Sequence, residues 1–234
     1  MYTFQSRVRY SEVGEDKKIT LLSILNYFQD CSTFHSEELG VGLNYLERQE
    51  RIWVLNSWQI VVNRYADLCE AISVETWPYA FSGFTGLRNF AMRGQDGELL
   101  AYANTLWAFL DTGRGRMVKV DPQVAKAYTL EEPLSMEYAP RKVPVPENAQ
   151  PQASFWVHKS HLDTNHHVNN GQYVQMAKDY LPDEFSIGQM RAEYKKQAVL
   201  GDEIFPWVEQ MEGRCTVALC DQERKPYAVV EFQK

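Results

Sequence analysis

Four of the five histidines, His158, His161, His166 and His167, lie within ten residues, with Asp163 and Asn165 set among them. The run Trp156-Val-His-Lys-Ser-His161-Leu-Asp163-Thr-Asn165-His-His167-Val-Asn169-Asn170-Gly-Gln-Tyr173 joins a strand-like segment to a helix start. Functional groups are often carried on such connections. In an extended chain side chains alternate, which would place His161, Asp163, Asn165 and His167 on one side. A carboxylate or imidazole there can activate water by taking up a proton. The opening turn of a helix offers unpaired N–H groups and a positive partial charge, which can hold a developing oxyanion. Those are the two needs of ester or thioester hydrolysis. Plainer roles are open to the same residues: Asn169 or Asn170 can cap the helix, and the polar run can be a solvated loop.

A metal centre is not expected. His161, Asp163, His166 and His167 are ligand types, but the adjacent His166 and His167 face opposite ways in an extended chain. No Cys partner stands nearby, and no His-x-x-x-His pair lies on one helix face. Neither a Gly-x-Gly-x-x-Gly turn nor a phosphate loop occurs, so no nucleotide or other cofactor is expected. The absence of a Gly-x-Ser-x-Gly elbow argues against an α/β-hydrolase.

The elements that must position this segment come in two similar series. The first opens with a strand at Thr3–Tyr10. A helix from about Thr20 to Leu39 follows, with Thr20 as N-cap, Gly40 as terminator and Leu21, Leu25, Phe28 and Cys31 at helical spacing. Strand-like runs then read Trp53–Tyr65, Ala71–Tyr79, Gly86–Arg93, Leu99–Leu110 and Arg116–Val120, with Asp96-Gly97 as a hairpin turn. Five of the ten prolines fall between Pro133 and Pro151, a stretch that can hold neither a regular helix nor a central strand. After it the order repeats: a strand at Ala153–Lys159, the polar segment, a helix from about Asn169 to Leu181, and strands at Gln189–Ala198, Glu203–Glu209, Arg214–Cys220 and Tyr227–Phe232. Cys69-Glu70-Ala-Ile-Ser-Val-Glu-Thr-Trp77 matches Gly201-Asp202-Glu-Ile-Phe-Pro-Trp-Val-Glu209 in pattern. The expectation is an α+β protein with an N-terminal unit over 1–130, a Pro-rich linker over 131–152 and a C-terminal unit over 153–234. In each unit a helix covers one face of an antiparallel sheet.

Bulk properties narrow the partners. A net charge of −7 with no basic run weighs against nucleic acid. No apolar stretch approaches the roughly 20 residues of a membrane span, and the opening Met-Tyr-Thr-Phe-Gln-Ser-Arg lacks the apolar core of a signal peptide. Cys31, Cys69, Cys215 and Cys220 form no Cys-x-x-Cys pair and read as reduced thiols of a cytoplasmic protein.

Asp163-Thr-Asn165-His-His167-Val-Asn169-Asn170-Gly-Gln-Tyr173 resembles the Asp-x-Asn-x-His-Val-Asn-Asn-x-x-Tyr motif of acyl-ACP thioesterases. Leu25–His35 resembles the family's first-unit helix, Ala101–Asp111 its first-unit long strand, and Arg191–Lys196 the strand after the catalytic helix. The resemblance implies two fused hot-dog units, the first shaping an acyl channel and the second supplying catalysis. It implies Asp163, Asn165 and His167 as catalytic candidates, with Asn169, Asn170 and Tyr173 at the substrate. The matching first-half segment Gly14–Leu21 lacks the Asn and His. Where plant members commonly carry Tyr-Arg-Arg-Glu-Cys, this chain has Tyr194-Lys-Lys-Gln197-Ala198. Gln197 can hold a water but cannot take up a proton, which shifts the base role toward Asp163 or His167 and excludes a Cys nucleophile at position 198. Channel-wall candidates are Leu25, Phe28, Trp53 and Trp107, with Trp58, Phe81 and Phe84. Acyl carrier protein, being acidic, would dock on a local basic patch, for which Arg191, Lys195 and Lys196 are candidates along with Arg141 and Lys142. A monomer or a homodimer is compatible with fused units. An acyl-CoA thioesterase on the same fold and a non-catalytic acyl- or carrier-binding module are the competing readings.

Overall fold

A computed structural model describes all residues, 1–234. The chain forms two compact units, one of Met1–Asn56 with Ile60–Tyr138 and one of Ser57–Gln59 with Ala139–Lys234.

In the first unit, β1 (Tyr2–Arg7) leads to the long helix α1 (Leu21–Glu38) and a short helix α2 (Leu43–Arg48). Strands β2 (Arg51–Val62), β3 (Ala71–Ser82), β4 (Thr85–Gly94) and β5 (Leu99–Asp111) follow, then β6 (Arg116–Met117) and helix α3 (Pro122–Ala127). The sheet order is β1-β3-β4-β5-β2, with β6 on β5. The register pairs Thr76 with Phe90 and Phe90 with Ala103. α1 starts where expected, because the Thr20 hydroxyl accepts the Ser23 N–H. It stops at Gly40, whose φ of 71° suits a residue without Cβ. Helices α2 and α3 were not expected. α3 does carry a readable signal, since the Asp121 side chain accepts the Gln123 N–H just before Pro122.

The helix-facing side of this sheet is apolar, with Phe28 of α1 packed 5.3 Å from Phe90 of β4. One charge interrupts it. Arg88, 8% exposed, donates from Nη1 to His35 Nδ1 and to Thr76 Oγ1, each at 3.1 Å. Its guanidinium lies 5.3 Å from the Tyr128 ring centroid. Burial pushes the His35 pKa down to about 4, helped by the Arg88 charge and the terminal amino group. The folded state therefore keeps His35 neutral where the unfolded chain protonates it. Stability from this source is complete above about pH 6.5 and is lost as the pH falls toward 4, with a slope up to about 1.4 kcal/mol per pH unit. His35→Gln keeps an acceptor for Arg88 and removes the titration. Denaturant unfolding between pH 4 and 7.5 should show a flatter profile for the variant, and equal slopes would disprove this account.

The second unit holds β7 (Gln150–Pro151), β8 (Phe155–Trp156), helix α4 (Asn170–Lys178), and strands β9 (Gln189–Tyr194), β10 (Glu203–Met211), β11 (Arg214–Cys220) and β12 (Pro226–Gln233). The sheet order is β9-β12-β11-β10-β7, with β8 also on β10. The strand expected over Ala153–Lys159 shrinks to β8. The chain then turns into a 3-10 helix at Lys159–His161.

The Pro-rich segment is not a free tether. Leu134 and Tyr138 bond to the buried Asn89 in the first unit, and Val143 donates to Glu193 in the second. Val143 is 1% exposed and packs on Ala218, Cys220 and Val229.

The two units repeat more closely than their sequences. Val13 bridges Ile19 as Leu162 bridges Val168, and Lys18 bridges Asp67 as His167 bridges Val199. The Ile19 N–H reaches the Ala66 carbonyl as the Val168 N–H reaches that of Ala198. Lys17 and His166 both have φ of 61°. In this register Gly14, Asp16 and Lys18 stand where the second unit has Asp163, Asn165 and His167.

Candidate active site

The segment Asp163–His167 is a tight turn rather than the extended run expected from alternation. The Asp163 N–H donates to the His167 carbonyl at 2.8 Å, and the His166 N–H to the Asp163 carbonyl at 3.1 Å. Asp163 Oδ1 accepts the backbone N–H of Asn165 at 2.8 Å and of His167 at 3.2 Å. A carboxylate that accepts two amides of its own turn fixes the loop. No hydrogen bond joins this carboxylate to the His167 ring.

His167 is held from both sides. Its own backbone pairs with Val199, and the next residue, Val168, donates to the Ala198 carbonyl at 2.9 Å. Ala198 in turn donates to the Tyr173 hydroxyl at 2.9 Å. Asp202 closes the neighbouring turn, its Oδ2 accepting the Val199 N–H at 3.0 Å and the Tyr227 hydroxyl at 3.3 Å. The His167 ring is half-buried, and its Nδ1 is buried with no hydrogen-bond partner. A buried imidazole nitrogen left open costs about 1–3 kcal/mol. A catalytic role is one of the reasons a native protein leaves such an atom unpaired.

α4 begins beside this clasp. The Asn169 side chain accepts the Gly171 N–H at 2.8 Å and is the N-cap, and Tyr194 donates its hydroxyl to the Asn170 carbonyl at 3.0 Å. Burial raises the pKa values of both Tyr173 and Tyr194, so they stay neutral donors and acceptors. His161 accepts the His158 N–H on Nδ1 at 3.1 Å. Burial and the neighbouring His158 lower its pKa.

The remaining candidates separate. Asn165 and Gln197 are exposed. Tyr173, expected at the substrate, is 2% exposed and acts on the backbone of Ala198. Leu25 and Phe28 are core residues at 2% and 0% exposure. Trp53 and Trp107 are half-buried, Trp53 against Phe81 and Phe109, and Trp107 donates Nε1 to Thr105. The three carrier-docking candidates are all ion-paired, Arg191 with Glu231, Lys195 with Glu193 and Lys196 with Asp221. Arg191 also donates to the Pro140 and Lys142 carbonyls, so its charge is turned onto the Pro-rich segment. The parts that the Ala198 backbone and the Asp202 carboxylate play in holding His167 in place were not expected. The likeness of Cys69-Glu70 to Gly201-Asp202 was the signal for them, because Glu70 accepts the Asp67 N–H as Asp202 accepts that of Val199.

No group of three or more His, Cys, Asp and Glu side chains is disposed to hold a metal ion, and no helix is long and apolar enough to cross a membrane.

Comparison with known proteins gives the fold and the family. A chain from Bacteroides thetaiotaomicron described as an acyl-ACP thioesterase superposes with a TM-score of 0.91 at 24% identity, covering 99% of this chain and 96% of that one. The 12:0-ACP thioesterase from Umbellularia californica superposes with a TM-score of 0.86 at 20% identity, covering 99% and 96%. The fold is therefore the double hot-dog, an α+β arrangement. Among curated relatives, an acyl-[acyl-carrier-protein] hydrolase of Cuphea viscosissima is 24% identical over 211 residues, covering 81% of this chain and 50% of its own. A dodecanoyl-[acyl-carrier-protein] hydrolase of Cinnamomum camphora is 23% identical, covering 82% and 55%. The chain thus spans about half the length of the curated relatives it matches. The model of the acyl-ACP thioesterase N-terminal domain matches residues 1–128 and that of the C-terminal domain residues 146–226, so the chain belongs to the acyl-ACP thioesterase family.

Proposed function

We propose that this protein hydrolyses fatty acyl thioesters of acyl carrier protein, giving free fatty acid and the carrier thiol. The half-buried imidazole of His167, next to the start of α4, carries the reading. With the ring proton on the buried Nδ1, Nε2 presents a lone pair to a water molecule. The water oxygen attacks the thioester carbonyl carbon while His167 takes its proton. The tetrahedral intermediate then expels the sulfur, which recovers a proton from His167. The N-terminal end of α4 supplies positive partial charge for the developing oxyanion. Asp163 keeps the turn in shape. Asn165 and Gln197, both exposed, are read as orienting the water or the thioester by hydrogen bonding.

The first unit is read as the acyl-binding half, with Trp53, Trp107 and Phe81 as wall, and the second as the catalytic half. One chain supplies both hot-dog units, so a monomer suffices and a dimer is not required. The four cysteines are free thiols, which fits a cytoplasmic setting.

The test is turnover of an acyl-ACP chain-length panel beside matched acyl-CoA. Release of fatty acid from acyl-ACP in preference to acyl-CoA is expected. Preference for CoA would move the substrate to acyl-CoA. Binding of acyl-ACP with no turnover would make the chain a binding module, the reading that Gln197 keeps open.

A further inference from the structure

We propose that the hairpin of β5 and β6 is the surface that docks the acidic carrier protein, an inference that rests on the function proposed above. The hairpin pairs Leu110 with Met117 and Asp111 with Arg116, and its turn ends at Gly115 with φ of 61°. Arg114, Arg116 and Lys119 are all exposed. None of the three has a carboxylate partner, whereas Arg51, Arg64, Arg93, Arg191, Lys195 and Lys196 are each paired with one.

Two of the acids around the turn are already engaged. Asp111, 5% exposed, holds Arg51 at 3.0 Å through Oδ2 and accepts the Arg114 backbone N–H at 2.8 Å through Oδ1. Asp121 caps α3 by accepting the Gln123 N–H. Glu50 is the remaining acid facing the turn, its carboxylate lying beside Gly113. Three exposed cations within six residues therefore give this hairpin and its continuation a local excess of positive charge on a chain of net charge −7.

The hairpin is also stiff. The Thr112 N–H reaches the Glu50 carbonyl at 3.0 Å, that of Val118 reaches Phe109 at 2.9 Å and that of Val120 reaches Gly83 at 2.9 Å. Val118 and Val120 pack onto Val41, Leu46 and Phe109. Met117, 54% exposed beside Arg116, adds an apolar contact of the kind found within charged rims. Unpaired cations on a fixed support are what steers an acidic partner, because no local acid must be displaced first.

The experiment compares the intact protein with its Arg114→Glu/Arg116→Glu/Lys119→Glu variant. Palmitoyl-ACP affinity is read by fluorescence anisotropy at two salt concentrations, and hydrolysis is read on palmitoyl-ACP and on a carrier-free acyl-N-acetylcysteamine thioester. The expected result is a Kd and KM for palmitoyl-ACP at least tenfold higher in the variant, a weakened salt dependence and unchanged turnover of the carrier-free thioester. An unchanged Kd overturns the proposal and leaves the cations as solvated surface charge. Equal losses on both thioesters overturn it as well, as damage to the fold. A wild type that binds palmitoyl-ACP through the hairpin but hydrolyses neither thioester supports the docking surface while removing the hydrolase reading.

Discussion

His167→Ala is expected to lower kcat on acyl-ACP about 10³-fold, within the 10²–10⁴-fold range of a positioned general base, while changing KM less than about threefold. The variant should be at least as stable as the parent. Nδ1 of His167 is buried without a partner, so the folded protein bears a desolvation cost of about 1–3 kcal/mol that unfolding relieves. Removing the ring removes that cost, against the loss of a half-buried ring's packing. Active sites often carry this trade of stability for activity. A structural histidine would behave in the opposite way, because deleting a satisfied, packed side chain lowers Tm and leaves chemistry nearly intact. Added imidazole offers a second readout, since it can enter the space left by Ala and restore part of kcat if the missing part is a proton acceptor. A variant that loses stability and keeps turnover would remove His167 from the mechanism.

Much of the scaffold was legible because its signals are local. Thr20 sits next to an apolar periodicity and caps α1 as expected. Gly40 ends that helix. Asp96-Gly97 turns β4 into β5 with Gly97 at φ of 84°. α4 begins where the Asn169-Asn170 pair suggested and loses its regular bonding after Lys178.

What escaped depends on partners far along the chain. Ala153–Lys159 alternates like a strand, yet only Phe155 and Trp156 find ladder partners, in Ile204 and Glu203. The cations Arg191, Lys195 and Lys196 could be counted in the sequence. That Glu231, Glu193 and Asp221 neutralise them depends on strand register and on the turn after β11. The site shows the same division. The residue types and their nearness to a helix start were readable. The use of each polar atom was not. Asp163 spends its carboxylate on amides two and four residues ahead, and Tyr173 turns its hydroxyl to Ala198.

That use of the Asp163 carboxylate makes two substitutions at one position diverge. Asp163→Asn keeps an oxygen where Oδ1 stands, and asparagine forms the same side-chain turn. It should keep kcat within about tenfold of the parent, the loss reflecting weaker hydrogen bonds from a neutral acceptor. Asp163→Ala leaves the N–H groups of Asn165 and His167 without the acceptor they now share. The turn loosens, and His167 moves relative to α4. Misplacement of about 1 Å can cost about 10²-fold, so kcat should fall by roughly that factor. Were Asp163 the base itself, both substitutions would abolish proton uptake and both would fall about 10³-fold. Measuring kcat for the two variants side by side therefore separates a carboxylate that shapes a turn from one that takes a proton, and equal losses would return the base role to Asp163.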